Sequence, residues 1–104
     1  MSEYGLSNDV VAGIRRVFAS YPQIGKAILY GSRAKGSYHG GSDIDLTFVA
    51  AEGHHLDIDL IFRIDEELDE LLLPYSFDLS VLVEIDNNNL IDHIERVGVV
   101  FYQQ

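Results

Sequence analysis

Gly31-Ser32-Arg33-Ala34-Lys35-Gly36-Ser37-Tyr38-His39-Gly40-Gly41-Ser42-Asp43-Ile44-Asp45-Leu46 is the stretch on which the reading of this chain turns. The apolar run Ala27-Ile28-Leu29-Tyr30 leads into it, and Leu46-Thr47-Phe48-Val49 leads out of it. A strand, a turn of small residues, a glycine-rich interval and two aspartates heading a second strand form a layout suited to a polyphosphate and its metal ions. The rest of the chain is expected to bury the back of that site and to supply one more carboxylate.

Composition narrows the possibilities. At 104 residues with 47% hydrophobic residues, the chain is expected to be one domain over 1–104, with a core of about 7–102. Its apolar runs are only a few residues long, so neither a membrane span nor a signal peptide is expected. Cysteine is absent, which excludes a disulfide framework and makes a reducing cytoplasm the expected compartment. Seven Lys and Arg against seventeen Asp and Glu give a formal net charge of −10. Such a surface repels a phosphate backbone, so direct duplex binding is not expected. Divalent cations would bring the positive charge that a nucleotide needs.

Working outward, residues 1–6 read as a loose leader. Ser7 is placed as an N-cap with Asp9 in the first turn, and Val10, Val11, Ile14, Val17 and Phe18 mark the apolar face of a helix that ends near Ser20. Ile24 to Tyr30 reads as a strand, Ser32 to Lys35 as a short helix, and Ile44 to Val49 as a second strand. Leu60, Ile61, Ile64, Leu68, Leu71 and Leu72 recur at helical spacing opposite an acidic face, with Pro74 as the stop. Tyr75 to Val83 alternates into a third strand containing Asp78. Asn87 to Asn89 offer caps for a helix carrying Leu90, Ile91, Ile94 and Val97, ended by Gly98, and Val99 to Tyr102 closes as a strand. The fold class expected is an α/β (α+β) two-layer sandwich, a mixed β-sheet with helices on one face.

Asp43 and Asp45 lie two apart, so on a strand they share a face at roughly 6.6 Å. Two carboxylates so placed repel unless a cation stands between them, and Mg²⁺, with its preference for oxygen ligands, is the natural ion. The spacing alone decides nothing, because Asp57-Ile58-Asp59 repeats it just ahead of a helix, where N-capping accounts for it. Gly31-Ser32 separates the two cases. Glycine permits close approach to a phosphate, its N–H and that of Ser32 can donate, and the Ser32 hydroxyl adds a neutral donor. Other phosphate and metal motifs fail by residue: Ser37 follows Gly36 where a Walker loop needs Lys, no Gly-X-Gly-X-X-Gly occurs, and Thr47 and Phe48 stand where an EF-hand needs a ligand and Gly. Arg15 and Arg16 are accounted for by a solvated face, and His39, His54 and His55 by loops.

Gly31-Ser32, ten residues, then Asp43-X-Asp45 resembles the signature of the DNA polymerase β-like nucleotidyltransferase superfamily, and Leu29-Tyr30-Gly31-Ser32-Arg33 with Gly41-Ser42-Asp43-Ile44-Asp45-Leu46 is similar to its minimal nucleotidyltransferase (MNT) branch. The stretches around Leu71–Ser80 and His93–Tyr102 resemble that branch too. The resemblance implies the nucleotidyltransferase fold, with Asp43, Asp45 and Asp78 as catalytic metal-binding carboxylates, two Mg²⁺ ions per site, and Gly31 and Ser32 as the phosphate-binding pair. Asp78 would also help to deprotonate the attacking hydroxyl. Arg33 matches a basic position of the motif, with phosphate or a nearby aspartate as its partner, and Tyr38 is a candidate for stacking on the base.

The activity so implied is transfer of a nucleoside monophosphate, AMP from ATP, to a hydroxyl. With no residues left for an acceptor-binding domain, the acceptor is expected from another polypeptide. In the MNT family the usual partner is a helical HEPN toxin, in a hetero-oligomer where the MNT protein acts as antitoxin, and some members AMPylate a tyrosine of the toxin. The alternatives are an antitoxin that acts by binding alone, with a vestigial nucleotide site, and a small-molecule nucleotidyltransferase that needs a helper subunit.

Overall fold

The computed structural model describes residues 2–104, and the first finding is that the N-terminus is built rather than loose. Strands β1 (Ser2–Glu3) and β2 (Leu6–Ser7) pair antiparallel across a turn at Tyr4 and Gly5, both at positive φ. This matches the twist demand of a two-residue hairpin. Leu6 is fully buried in the core, so the core begins one residue earlier than the sequence suggests; residue 1 lies outside the described residues.

Helix α1 (Asn8–Ala19) starts at Ser7, whose side chain accepts from the Val10 N–H at 3.2 Å, and Asp9 sits in the first turn. Strand β3 (Ile24–Tyr30) runs directly into the short helix α2 (Gly31–Lys35), and the glycine-rich segment then leads to β4 (Ile44–Ala50). Helix α3 (Ile58–Asp69) is capped by Asp57, which accepts from Leu60 N–H at 2.8 Å; the second Asp-X-Asp is thus a helix start. Strand β5 (Phe77–Val81) passes into a 3₁₀ turn at Leu82–Glu84. Helix α4 (Asn88–Val97) is capped by Asn87, and β6 (Val99–Gln103) follows. No helix among the described residues is long and apolar enough to cross a membrane.

The four long strands form a mixed sheet in the order β5-β4-β3-β6. β3 is antiparallel to β4 and β6, and β4 is parallel to β5, a pairing that requires a crossover of helical length, supplied by α3. One sheet face carries Ala27, Leu29, Leu46, Phe48, Leu79 and Val81, and α1 and α3 cover it with Val11, Ile14, Phe18, Leu60, Ile64 and Leu68. Phe18 meets Phe48 edge-on at 5.2 Å, a favoured aromatic geometry. The other face carries Tyr30, Asp45, Thr47 and Asp78, with α4 packed beside it against Ile28.

Two elements, α3 and β5, end differently from the sequence reading by more than one residue. Leu72 is not on the apolar face of α3. It sits past the helix end at φ 55°, 89% exposed, and this left-handed step turns Leu71 and Leu73 onto α1 beside Val10 and Gly13. Pro74 disfavours a helical residue before it, which fits the early stop. The third strand is shorter at both ends than Tyr75 to Val83, because Tyr75 turns inward onto Arg33 and Val83 enters the 3₁₀ turn.

Candidate active site

The pairing register explains how residues separated by a long excursion meet. Tyr30 is the cross-strand partner of Asp45, and Asp45 is the partner of Asp78. The end of β3, the start of β4 and the start of β5 therefore lie side by side, with Tyr30, Asp45 and Asp78 in one row on one face. Directly opposed side chains in a sheet stand about 5 Å apart at Cβ, so Asp45 and Asp78 are immediate neighbours. Asp43 precedes β4 by one residue and is exposed, as is Asp78, while Asp45 is half-buried between them. Asp78 can stand in an otherwise apolar run because it is on the outermost strand and exposed.

Gly31 has a definite reason to be glycine. Its φ is +75°, and a Cβ there would fall inside the Asp45 carboxylate, with Oδ2 the closest atom. The residue thus lets the backbone turn from strand to helix and lets Asp45 lie flat against that turn. Ser32, half-buried at the start of α2, stands beside it. Its N–H and hydroxyl belong to the first turn, where backbone N–H groups lack helical acceptors.

The electrostatics follow from crowding of like charge. Burial first, then Asp78 and Asp43, push the Asp45 carboxyl above its ordinary value. Tyr30 is raised in the same way, by burial and by Asp78 and Asp45. The described ion pairs, Arg15–Glu3 and Arg96–Asp92, involve none of the three aspartates. Three carboxylates left without a protein cation, Asp45 beside Asp78 on an open sheet face and Asp43 just ahead of β4, are the donor type that a hard divalent ion takes. Their chemistry fits, although among the described residues no three such groups already converge on one point. The apolar cleft of about 330 Å³ under α4, lined by Ile28, Leu82, Ile91 and Ile94, does not include Asp43, Asp45 or Asp78.

Arg33 is corrected by the structure. It is only 2% exposed, and its guanidinium donates to backbone carbonyls: Nε and Nη2 to Ser42 O at 3.1 and 2.9 Å, Nη1 to Tyr4 O at 3.0 Å, and Nη2 to Gly40 O at 3.4 Å. The rings of Tyr75 and Tyr38 lie on it at 4.8 and 5.5 Å from the guanidinium carbon. Its guanidinium is spent on backbone carbonyls, and among the described residues it pairs with no aspartate. It holds the glycine-rich loop to the N-terminal hairpin instead. Tyr38 packs on Arg33 and over Gly5, which accounts for it without a base. Arg15, read as a surface cation, donates from Nε to Phe101 O at 2.7 Å and lies over the Phe101 ring, tying α1 to β6. His39, His54 and His55 are exposed loop residues, as expected. The residue that sequence reading missed is His93 of α4, whose Nε2 accepts from Gly31 N–H at 3.0 Å. Nothing in its spacing marks it.

The family profile described as "Polymerase beta, Nucleotidyltransferase" matches residues 13–104. No curated protein matches the chain. Among solved structures, a toxin–antitoxin crystallised with AMP-PNP superposes with a TM-score of 0.69 at 23% identity, over 95% of this chain and 75% of that one. A double Asp-to-Glu mutant of the toxin–antitoxin MntA-HpeT gives 0.67 at 20% identity with the same coverage. A putative nucleotidyltransferase from Sulfolobus solfataricus gives 0.52 at 16% identity, over 100% of this chain and 91% of that one.

Two outcomes are expected. Arg33→Met, which keeps the apolar stem and removes the fork, leaves buried carbonyls without charge-assisted donors and lowers unfolding free energy by about 3 kcal/mol. Urea titration reads this loss, together with faster amide exchange over residues 36–42. The Asp45 carboxyl is raised in the folded state, so the folded chain binds its proton at higher pH than the unfolded chain does. The resulting destabilisation is present at neutral pH and is relieved as pH falls through the raised value. Asp45→Asn is therefore more stable than the parent at pH 7 without metal, and the difference shrinks toward pH 4 in urea melts.

Proposed function

Because the chain belongs to the polymerase β-type nucleotidyltransferases, we propose that it transfers AMP from ATP to a hydroxyl presented by a partner protein, a tyrosine of a HEPN-type toxin, and so acts as an antitoxin. The observation that carries this reading is the row Tyr30–Asp45–Asp78 with Gly31 folded onto Asp45, which sets a phosphate-sized turn against paired carboxylates. The partner and donor are supported by two of the similar solved structures, which are toxin–antitoxins, one with an ATP analogue.

In this reading the Ser32 N–H and hydroxyl hold the triphosphate. Asp43 and Asp45 would hold one Mg²⁺ and share a second with Asp78, and these ions supply neutralisation of phosphate charge when bound. Asp78, exposed on the outermost strand, is open to an acceptor arriving from outside the chain and takes the proton of the attacking hydroxyl. The acceptor oxygen forms its bond to the α-phosphorus as the bond to the β-phosphate oxygen breaks, and pyrophosphate leaves. The net charge of −10 fits a partner surface that is basic.

The test is incubation of the chain with α-labelled ATP, Mg²⁺ and the protein encoded beside it. Label is expected on the partner, reduced at least a hundredfold by Asp43→Asn. Unlabelled partner that the Asp43→Asn variant neutralises as well as the parent does would replace transfer with inhibition by binding alone. Label on an added small-molecule alcohol, but not on the partner, would assign the small-molecule nucleotidyltransferase chemistry.

A further inference from the structure

The Gly31 N–H, which the motif reading assigns to phosphate, already has a partner. It donates to His93 Nε2 at 3.0 Å, which requires a neutral imidazole with its proton on Nδ1. The ring stands edge-on to Tyr30, with centroids 6.1 Å apart at 81°, and Tyr30 is the buried cross-strand partner of Asp45. His93 therefore meets both Tyr30, the last residue of β3, and Gly31, the first of α2, the two residues beside the Asp45 carboxylate.

Its position is set from the far end of α4. A Cβ at Gly98 would collide with the carbonyl oxygen of Ile94 and lie 2.9 Å from Ile28 Cγ2. Glycine at this position lets the end of α4 close onto Ile28 of β3. His93 lies five residues back along α4, which brings it over Tyr30 and Gly31, two and three residues beyond Ile28. The Gly31 N–H needs such a partner, because the β3 ladder ends at Tyr30 and a part-buried donor left unmatched is costly.

We propose that His93 is the positioning residue of this turn: it keeps the Gly31 N–H when nucleotide binds, leaves Ser32 as the phosphate donor, and so fixes the turn relative to Asp45. The nucleotide half of this inference rests on the nucleotidyltransferase reading; the clamp on Gly31 does not. His93 touches no reacting atom in this scheme. Its effect passes through Gly31, whose backbone defines where the Asp45 carboxylate and the Ser32 donors stand.

Nuclear magnetic resonance on the uniformly ¹⁵N-labelled full chain tests both halves, by the scalar coupling across the hydrogen bond between Gly31 N and His93 Nε2. The coupling is expected in the free protein, and again with Mg²⁺ and a non-hydrolysable ATP analogue. His93→Ala is expected to weaken analogue binding roughly tenfold by calorimetry, and His93→Gln, which restores an acceptor, to recover most of that loss. A coupling absent from the free protein overturns the clamp. A coupling that vanishes when the analogue binds shows Gly31 N–H turning to phosphate and overturns the positioning role, as does unchanged affinity in His93→Ala. A wild-type chain that shows the coupling yet binds no analogue overturns the nucleotidyltransferase reading and the positioning role with it, while the bond itself stands.

Discussion

The carboxylate of Asp45 lies in the space where any residue but glycine at position 31 would carry its side chain. This single close approach ties together three constraints. The β3–β4 register must bring Tyr30 opposite Asp45, the chain must leave β3 through a left-handed step, and Ser32 must follow at once as the start of α2. A slip of one residue in the pairing would move Asp45 to the packed face and Leu46 to the open one. The apolar partners of the opposite face, Leu29 with Leu46 and Ala27 with Phe48, make that slip costly, so the core enforces the geometry of the site.

Charge is handled in opposite ways on the two sides of the glycine-rich segment. The aspartates are gathered on an open face without a cation, a strained arrangement that the buried core beneath can support. Arg33 is the reverse case, a buried cation without a carboxylate, matched by the carbonyls of Tyr4, Gly40 and Ser42 and by two tyrosine rings. Those carbonyls belong to segments with little regular structure. A guanidinium with five donors can hold them where a lysine could not. The loop that delivers Asp43 thus gets its order from Arg33 and from a turn closed between His39 and Ser42 rather than from a ladder.

Features with a local cause were legible in the sequence. The caps at Ser7, Asp57 and Asn87 are readable because the acceptor and its N–H lie three residues apart, and the decoy pair at Asp57 and Asp59 was correctly taken as a helix start for the same reason. The carboxylates were legible in part: the spacing pairs Asp43 with Asp45, the family resemblance adds Asp78, and the register is the physical reason that Asp78 stands beside Asp45. What escaped depends on distant partners. Arg33 looks like a phosphate ligand until the backbone carbonyls around it are located. Residues 1–6 read as a leader because a two-residue turn at Tyr4 and Gly5 leaves almost no pattern. Leu72 keeps helical spacing after the helix has ended. His93 acts across 62 residues of sequence separation, through the seating of α4, and no spacing rule carries that information.

The central claim is that the aspartate row and the Gly31–Ser32 turn form one nucleotide site, charged so that nucleotide and divalent ion bind only together. Calorimetric titration of a non-hydrolysable ATP analogue into the chain, with Mg²⁺ and with a chelator, tests it most directly when repeated on Asp45→Asn. The account predicts binding of the parent with Mg²⁺, none with the chelator, and affinity lowered at least tenfold in Asp45→Asn. Equal binding with and without Mg²⁺, or in parent and Asp45→Asn alike, would contradict it.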